Sequence, residues 1–396
     1  MVNDYGVLHG GAETSLVGQR ELLRERGHEV AVFASDATLI GGLESFADYH
    51  CRGTTSRAQA ALSAFNPSAA KDLVRALSEF RPDVVHVKMF LWQLSPSILR
   101  HLVGRPSVYE IMTYKAICPN GKKILPGGLR CTHPAGAACL SEGCLTPQSW
   151  LAMMFQRHLW MKRKNAFSRL VAVSETVRLR LDENGLGPCQ VIPFGCPERP
   201  PRGELSPTPL LAFAGRLEPE KGVMTLLHAM TEVRETFPDA LLLIAGDGSE
   251  RSTLETFTRE SGLQGNVRFA GILARGDLEQ AFDPAWVQIV PSTWEEPFGI
   301  VTIEAMMRGT AVIASDHGGC AECVRANVTG LLTPPGDANA LAAAIRQLLS
   351  DKSLCDEFGR AGREIAREAY TLTAYADAWE NCYRDMIAMP RAGTGS

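Results

Sequence analysis

Residues 210–246, LLAFAGRLEPEKGVMTLLHAMTEVRETFPDALLLIAG, hold a strand, a loop, a helix and a second strand in one stretch. LLAFAG (210–215) and LLLIAG (241–246) are continuous apolar runs rather than alternating ones. Each therefore reads as a strand buried on both faces. Between them Val223, Leu226, Leu227, Met230 and Val233 recur at the spacing of one helix face. A strand–helix–strand order makes a right-handed crossover between parallel strands. The rhythm continues through VRFAG (267–271), VQIVPS (287–292), AVIAS (311–315) and GLLTP (330–334). This half of the chain predicts a doubly wound α/β domain.

Working outward, the first half repeats the pattern less cleanly. VAVFAS (core at 31–35), VVHV (84–87), SVYEI (107–111), RLVAVS (169–174) and QVIPFG (190–195) are its candidate strands. Proline and polar residues crowd CPERPPRGELSPTP (196–209), which can continue neither a helix nor a central strand. The expected organisation is a Rossmann-like domain over 1–195, a linker at 196–209 and a second such domain over 210–366. Ligands of such domains sit at the carboxyl ends of strands, and two joined here would face each other across a cleft. One helix is expected over 367–388, through Tyr375, Ala378, Trp379, Cys382 and Met386, crossing the domain boundary, with a disordered tail at 389–396. VNDYG looks like the end of a strand whose beginning is missing, which a start codon further upstream would explain.

The 396 residues suit two domains, and 45% hydrophobic with 21% charged residues is ordinary for globular cores. A net charge of −4 supplies no global attraction for nucleic acid or anionic membranes. The amino terminus lacks the build of a signal peptide, and no run approaches the ~18 apolar residues of a spanning helix. Eleven cysteines, an odd count, fit reduced thiols better than a full disulfide set. These features predict a cytoplasmic protein, with a peripheral hold on the inner membrane face left open. RHLWMKRK (157–164), with Arg157, Trp160, Lys162, Arg163 and Lys164, is either a lipid-touching patch or an ordinary solvated helix face.

Chemistry concentrates in PSTWEEPFGIVTIEAMMRG (291–309). A strand end leads through a loop into a helix, so the backbone amides of Gly299, Ile300 and Val301 would favour a phosphate. Glu304, about a turn in, suits a vicinal diol such as a ribose, and Glu296 suits sugar hydroxyls, because carboxylates are strong acceptors. In FAGRLEPEKG (213–222), Arg216 and Lys221 stand at a strand end, where two cations can neutralise a diphosphate as it leaves. The bland alternative pairs them with Glu218 and Glu220. Gly10 and Gly11 allow close approach to an anion before a helix, and Gly246 in IAGDG (244–248) lines a strand end. Either glycine element can equally be a turn.

GGAE near the start, GRLEPEKG, AGDG, VRFAG and the Glu296-x7-Glu304 element, in this order, resemble the family 4 glycosyltransferases of the GT-B fold. The resemblance implies a metal-independent, retaining transfer of a hexose-type sugar from a UDP- or GDP-sugar, with the acceptor on the amino-terminal domain. It implies that Arg216 and Lys221 hold the diphosphate, Glu304 the ribose and Glu296 the transferred sugar. Phe298 belongs to the same loop, and the backbone around Gly271 and Ile272 would meet the base. The donor phosphate would help accept the acceptor's proton. Relatives often carry a His-Asp pair where this chain has Met112-Thr113, with His86 and Glu110 as nearby substitutes. A nucleotide-sugar epimerase on the same fold, or an inactive relative acting as a partner protein, are the rival readings.

Cys118, Cys131, Cys139 and Cys144 fall in one glycine- and proline-rich loop, with His133 beside them. They can bind a structural zinc, remain reduced thiols, or form one or two disulfides. Cys320 and Cys323 read as packing residues.

Overall fold

A computed structural model describes residues 1–8, 11–37, 44–56, 58–126, 128 and 130–389. The chain divides into two compact units. One comprises Met1–Pro126, Cys131–Pro193 and Tyr375–Ser396, the other Gly127–Arg130 and Phe194–Ala374.

The first unit carries strands β1 (Val2–Tyr5), β2 (Phe33–Ser35), β3 (Tyr49–Cys51), β4 (Val85–Val87), β5 (Ser107–Ile111), β6 (Arg169–Ala172) and β7 (Gln190–Val191). They form one sheet in the order β3-β2-β1-β4-β5-β6-β7, parallel at every pairing. Its helices are α1 (Gly11–Glu25), α2 (Gln59–Ala64), α3 (Pro67–Phe80), α4 (Ala138–Ser141), α5 (Pro147–Lys162) and α6 (Glu175–Glu183). Local chemistry starts them where they start. Asn66 caps α3 by accepting from the Ala69 amide at 3.0 Å, with Pro67 in the first turn, and Ser174 does the same for α6 through Val177.

The second unit holds β8 (Leu210–Ala214), β9 (Leu241–Ala245), β10 (Val267–Gly271), β11 (Val287–Val290), β12 (Ala311–Ser315) and β13 (Gly330–Thr333). Their order is β10-β9-β8-β11-β12-β13, again all parallel. The strands were all legible as apolar runs. Helices α7 (Val223–Thr236), α8 (Arg251–Glu260), α9 (Arg275–Phe282), α10 (Ile300–Arg308), α11 (Gly318–Cys323), α12 (Ala338–Leu349) and α13 (Lys352–Ala369) cover the sheet. The face Val223, Leu226, Leu227, Met230 and Val233 is fully buried, packed with Leu341, Ile345 and Leu348 of α12 in one core. Burying such side chains stabilises by roughly 1.5–3 kcal/mol each, which fixes α7 on its sheet. Both units are α/β with parallel Rossmann-like sheets, the GT-B pattern.

Two expectations are corrected. Residues 196–209 do not stand apart as a linker. They pack on the second unit: Leu205 joins its core, Arg202 Nε donates to Gly309 O at 2.8 Å, and Trp286 Nε1 donates to Ser206 O at 2.8 Å. The helix expected over 367–388 starts later, as α14 (Leu372–Ala388), because residues 367–369 are the last turn of α13, which ends at Ala369. Thr371 makes the break, bridging Cys196 with its backbone and accepting from the Ala374 amide at 3.0 Å with its hydroxyl. From Tyr375 onward α14 belongs to the first unit, where Trp379 is fully buried with its ring 4.3 Å from His86. The tail beyond Met389 lies outside the described residues.

Among the described residues no helix is long and apolar enough to cross a membrane. A cavity of about 490 Å³ opens in the first unit among Val30, Ala31, Val84 and Val85, at the amino edge of its sheet.

Candidate functional site

The site is built from two loops of the second unit that follow β8 and β11. β8 ends at Ala214, and the chain passes through Arg216 and a short 3-10 turn, Pro219–Lys221, into α7. Arg216 is exposed and pairs with Glu220 at 3.3 Å. That bond is the bland alternative realised for Arg216 alone. Lys221 instead reaches Glu296, forming an ion pair across 75 residues of sequence. Its ammonium also lies 5.7 Å from the centre of the Trp294 ring.

After β11 the loop turns Glu296 inward. One carboxylate oxygen takes Lys221, and the other accepts from Ser292 Oγ at 3.1 Å and from Cys320 Sγ at 3.0 Å. Burial alone would raise the carboxyl pKa, but Lys221 and these donors outweigh it and hold Glu296 below its ordinary value. Glu296 is therefore a fixed anion at neutral pH. Gly299 then enters α10 with φ +84°, a left-handed conformation, and a Cβ there would strike Cys320 Sγ. Only glycine fits both constraints. No side chain caps α10, so its first amides point out of the helix start with the positive end of the dipole. Gly318 lets α11 close on this loop, since a Cβ there would come within 2.6 Å of the Glu296 amide nitrogen.

Glu304 lies a turn into α10, about a quarter exposed, with Arg275 at 3.8 Å. Desolvation raises its pKa, while Arg275 and Arg199 act against that rise. Ile300 and Val301 are half-buried at the start of the same helix. Phe298 is different: its side chain is buried, with Phe194 at 5.3 Å and Tyr370 at 6.1 Å, so it anchors the loop from beneath. Gly246 follows β9 and donates to Gly271 O at 2.7 Å, which ties two strand ends together. Ile272 beside them is 82% exposed, an apolar side chain with no cover. Thus Lys221 and Glu296 touch directly, Arg216 and Glu304 engage other partners, and Gly246, Gly271 and Ile272 form a second strand-end group.

Several expected residues lie in the first unit. Gly10 falls outside the described residues, while Gly11 opens α1. Met112 is buried, and Thr113 accepts from the Lys115 amide at 3.3 Å. His86 and Glu110 form a closed buried network rather than a site. Glu110 takes Lys88 at 2.8 Å and His86 Nε2 at 3.0 Å, and His86 Nδ1 meets the Tyr383 hydroxyl at 2.7 Å. Desolvation lowers the His86 pKa to about 4. Burial pushes Glu110 up, but Lys88 and His86 hold it at about 2. The aromatic half of the expected basic patch is absent from the surface. Trp160 is buried against Phe90 and Tyr109 and donates to Ala116 O at 3.0 Å.

Sequence reasoning missed Ser292 and the role of Cys320, which was read as packing. Both ligate Glu296. The signal was available for Ser292, four residues before Glu296 across a loop, but nothing local marks Cys320, which approaches from α11.

With this geometry established, the chain matches two family models: Glycosyl transferases group 1 over residues 198–365 and Glycosyl transferase 4-like domain over residues 10–195. It is 35% identical to a glycogen synthase of Mycobacterium tuberculosis over 173 residues, covering 44% of this chain and 42% of that protein. The chain thus spans under half the length of curated relatives such as this one. A phosphatidyl-myo-inositol mannosyltransferase of Mycobacterium leprae is 29% identical over 370 residues, 90% of this chain and 88% of that one. Among solved structures, sucrose-phosphate synthase of Thermosynechococcus elongatus superposes with a TM-score of 0.73 at 22% identity, covering 98% and 99% of the two chains. Anabaena HepE in complex with UDP gives 0.67 at 20% identity, covering 97% and 98%. At these identities the structures speak for the fold alone.

Proposed function

From a chain that belongs to the family 4 glycosyltransferases, we propose an enzyme that moves a hexose from a UDP- or GDP-sugar to an acceptor hydroxyl with retention of configuration. The observation that carries this reading is the Lys221–Glu296 pair beside the uncapped start of α10. A cation held on a buried carboxylate cannot drift into solvent, so it is pre-set for an incoming anion. The helix start adds backbone donors for the same anion. Related folds support the ligand class: HepE was solved with UDP, with UDP and glucose, and with UDP-glucose.

In this reading the diphosphate lies over the first turn of α10. Lys221 shares its ammonium between Glu296 and a phosphate oxygen, and exposed Arg216 releases Glu220 to bind a second oxygen. Glu304 accepts from the ribose hydroxyls, and Glu296 keeps capacity for a sugar hydroxyl. The bases stack near Gly271 and Ile272. As the bond from the anomeric carbon to the donor phosphate breaks, the leaving diphosphate gains negative charge where these donors stand. The acceptor oxygen bonds to the same face of that carbon, and its proton passes to the departing phosphate oxygen. No metal is needed for this charge. The acceptor is assigned to the first unit.

Water can replace the acceptor, so the test needs no acceptor identity. The protein is incubated with UDP- and GDP-hexoses, and NMR follows the released sugar before it mutarotates. Release of the donor's own anomer supports the proposal. Release of the opposite anomer contradicts retention, and no release from any donor alongside no binding contradicts the assignment as a whole.

A further inference from the structure

The loop that follows β5 poses a problem of stability. None of the described residues from Ile124 to Ala152 is buried, and α4 buries no side chain at all. A segment with no apolar core needs another source of order, most often a disulfide or a metal. Yet the loop closes on a small cavity, and Cys118, Cys131, Cys139 and Cys144 all line it, together with His133. Its free volume, about 20 Å³, is that of a single water-sized sphere.

We propose that these four thiols bind one zinc ion, which folds the loop. Three observations converge on the site beyond its composition. First, Cys118 is buried at the cavity wall, held in a tight turn in which the Gly121 amide donates to Cys118 O at 2.9 Å. Second, Arg157 Nη1 is buried without a hydrogen-bond partner, and the Arg157 charge faces Cys139. A cation left so needs an anion nearby, and a zinc ion with four thiolates carries two net negative charges. Third, Lys123, which is buried, reaches over the loop to His133 O at 2.6 Å and brings a second cation to the same place.

All four cysteines are free in the protein chain alone, and among the described residues no three side chains already stand together as a metal-holding group. The thiols are turned to local acceptors instead, Cys118 to Asn120 Oδ1 at 2.9 Å and Cys131 to His133 O at 3.8 Å. Rotation about their side-chain bonds brings them onto the shared cavity, where zinc–sulfur bonds of about 2.3 Å form a tetrahedron. Each thiol gives its proton to solvent as it binds. Coupling of binding to ordering is the usual behaviour of a site that is not preformed. The softness of the four donors selects zinc over calcium or magnesium. The four cysteines belong to the first unit and Lys221 and Glu296 to the second, and the role proposed for the zinc is structural.

The test uses the full chain purified without chelator and then dialysed against zinc. Elemental analysis should find one zinc per chain. Alkylation of the native protein should leave Cys118, Cys131, Cys139 and Cys144 protected while partly exposed Cys189 reacts. Cys139→Ser should lower zinc content at least several-fold, and Cys189→Ser should leave it unchanged. Should Cys139→Ser fail to fold, zinc content and alkylation of the unaltered protein decide alone. Zinc-free protein with all four thiols freely alkylated overturns the proposal. So does protein in which intact-mass analysis finds these cysteines oxidised to disulfides.

Discussion

Replacing Lys221 with methionine tests the site where its chemistry and its stability meet. Methionine keeps the unbranched stem of the side chain and removes the ammonium, and with it the charge that stands over the Trp294 ring. Glu296 would then remain as a buried anion with Ser292 and Cys320 as its named partners. Two unit charges about 4 Å apart attract by ~4 kcal/mol at an effective dielectric near 20. Breaking a buried pair costs about 3–5 kcal/mol. Lys221 keeps 17% of its side chain exposed, so solvent screening trims the expected loss to about 2–4 kcal/mol. The sign with pH is specific. In the unaltered protein Lys221 depresses the Glu296 pKa, so the stability of the pair is present above the ordinary carboxyl range and lost as pH falls through the lower folded value. In the variant the depressing charge is gone and burial, the largest influence, raises that pKa. The carboxyl can then escape its penalty by taking a proton. Denaturant midpoints at pH 8 and pH 5 should show the variant's deficit shrinking at pH 5. A deficit below about 0.5 kcal/mol, or one equal at both pH values, refutes the reasoning. Turnover should fall on the order of 10²-fold.

Other consequences follow from the same geometry. Gly299→Ala forces a side chain into the left-handed region and onto Cys320, so it should destabilise the second unit by about 1–3 kcal/mol or more in thermal melts and abolish donor binding. Glu304→Ala, at a position about a quarter exposed, should raise the KM for donor about tenfold with a smaller change in kcat, since ribose binding is felt equally in ground and transition states. In the first unit, His86 and Glu110 both have depressed pKa values, so their contributions are lost as pH falls, from about 6.5 to 4 and from about 4.5 to 2 respectively. Lys88→Met should cost about 3–5 kcal/mol at pH 7 and flatten the lower limb of the melting-temperature profile.

Much of the fold was legible because parallel strands buried on both faces leave uninterrupted apolar runs. LLAFAG, LLLIAG, VQIVPS and AVIAS became strands β8, β9, β11 and β12 with the buried face of α7 between the first two. The break at Thr371 was invisible, because Tyr370 and Thr371 interrupt no apolar period; the bridge that ends α13 comes from Cys196, far away in sequence. The segment 196–209 misled for a related reason. Its prolines exclude helix and strand, but composition says nothing of the Gly309 carbonyl and Trp286 indole that bind it to the second unit. In the site, Arg216, Lys221, Glu296 and Glu304 were marked by charge at strand ends. Which of them touch was not marked, nor was Cys320, because those contacts depend on how α11 closes over Gly318.

Arg216 offers the most direct measurement. It is exposed and bonded only weakly to Glu220, so Arg216→Ala leaves the fold intact. Melting curves of the unaltered protein with UDP-, GDP- and ADP-sugars should show a rise with at least one of them, reaching about 2.7 kcal/mol of added stability at a hundredfold excess over Kd. The same ligand should stabilise Arg216→Ala far less. An equal rise in the variant, or no rise with any nucleotide sugar, would contradict the claim that this strand-end cation and its neighbours grip a sugar nucleotide.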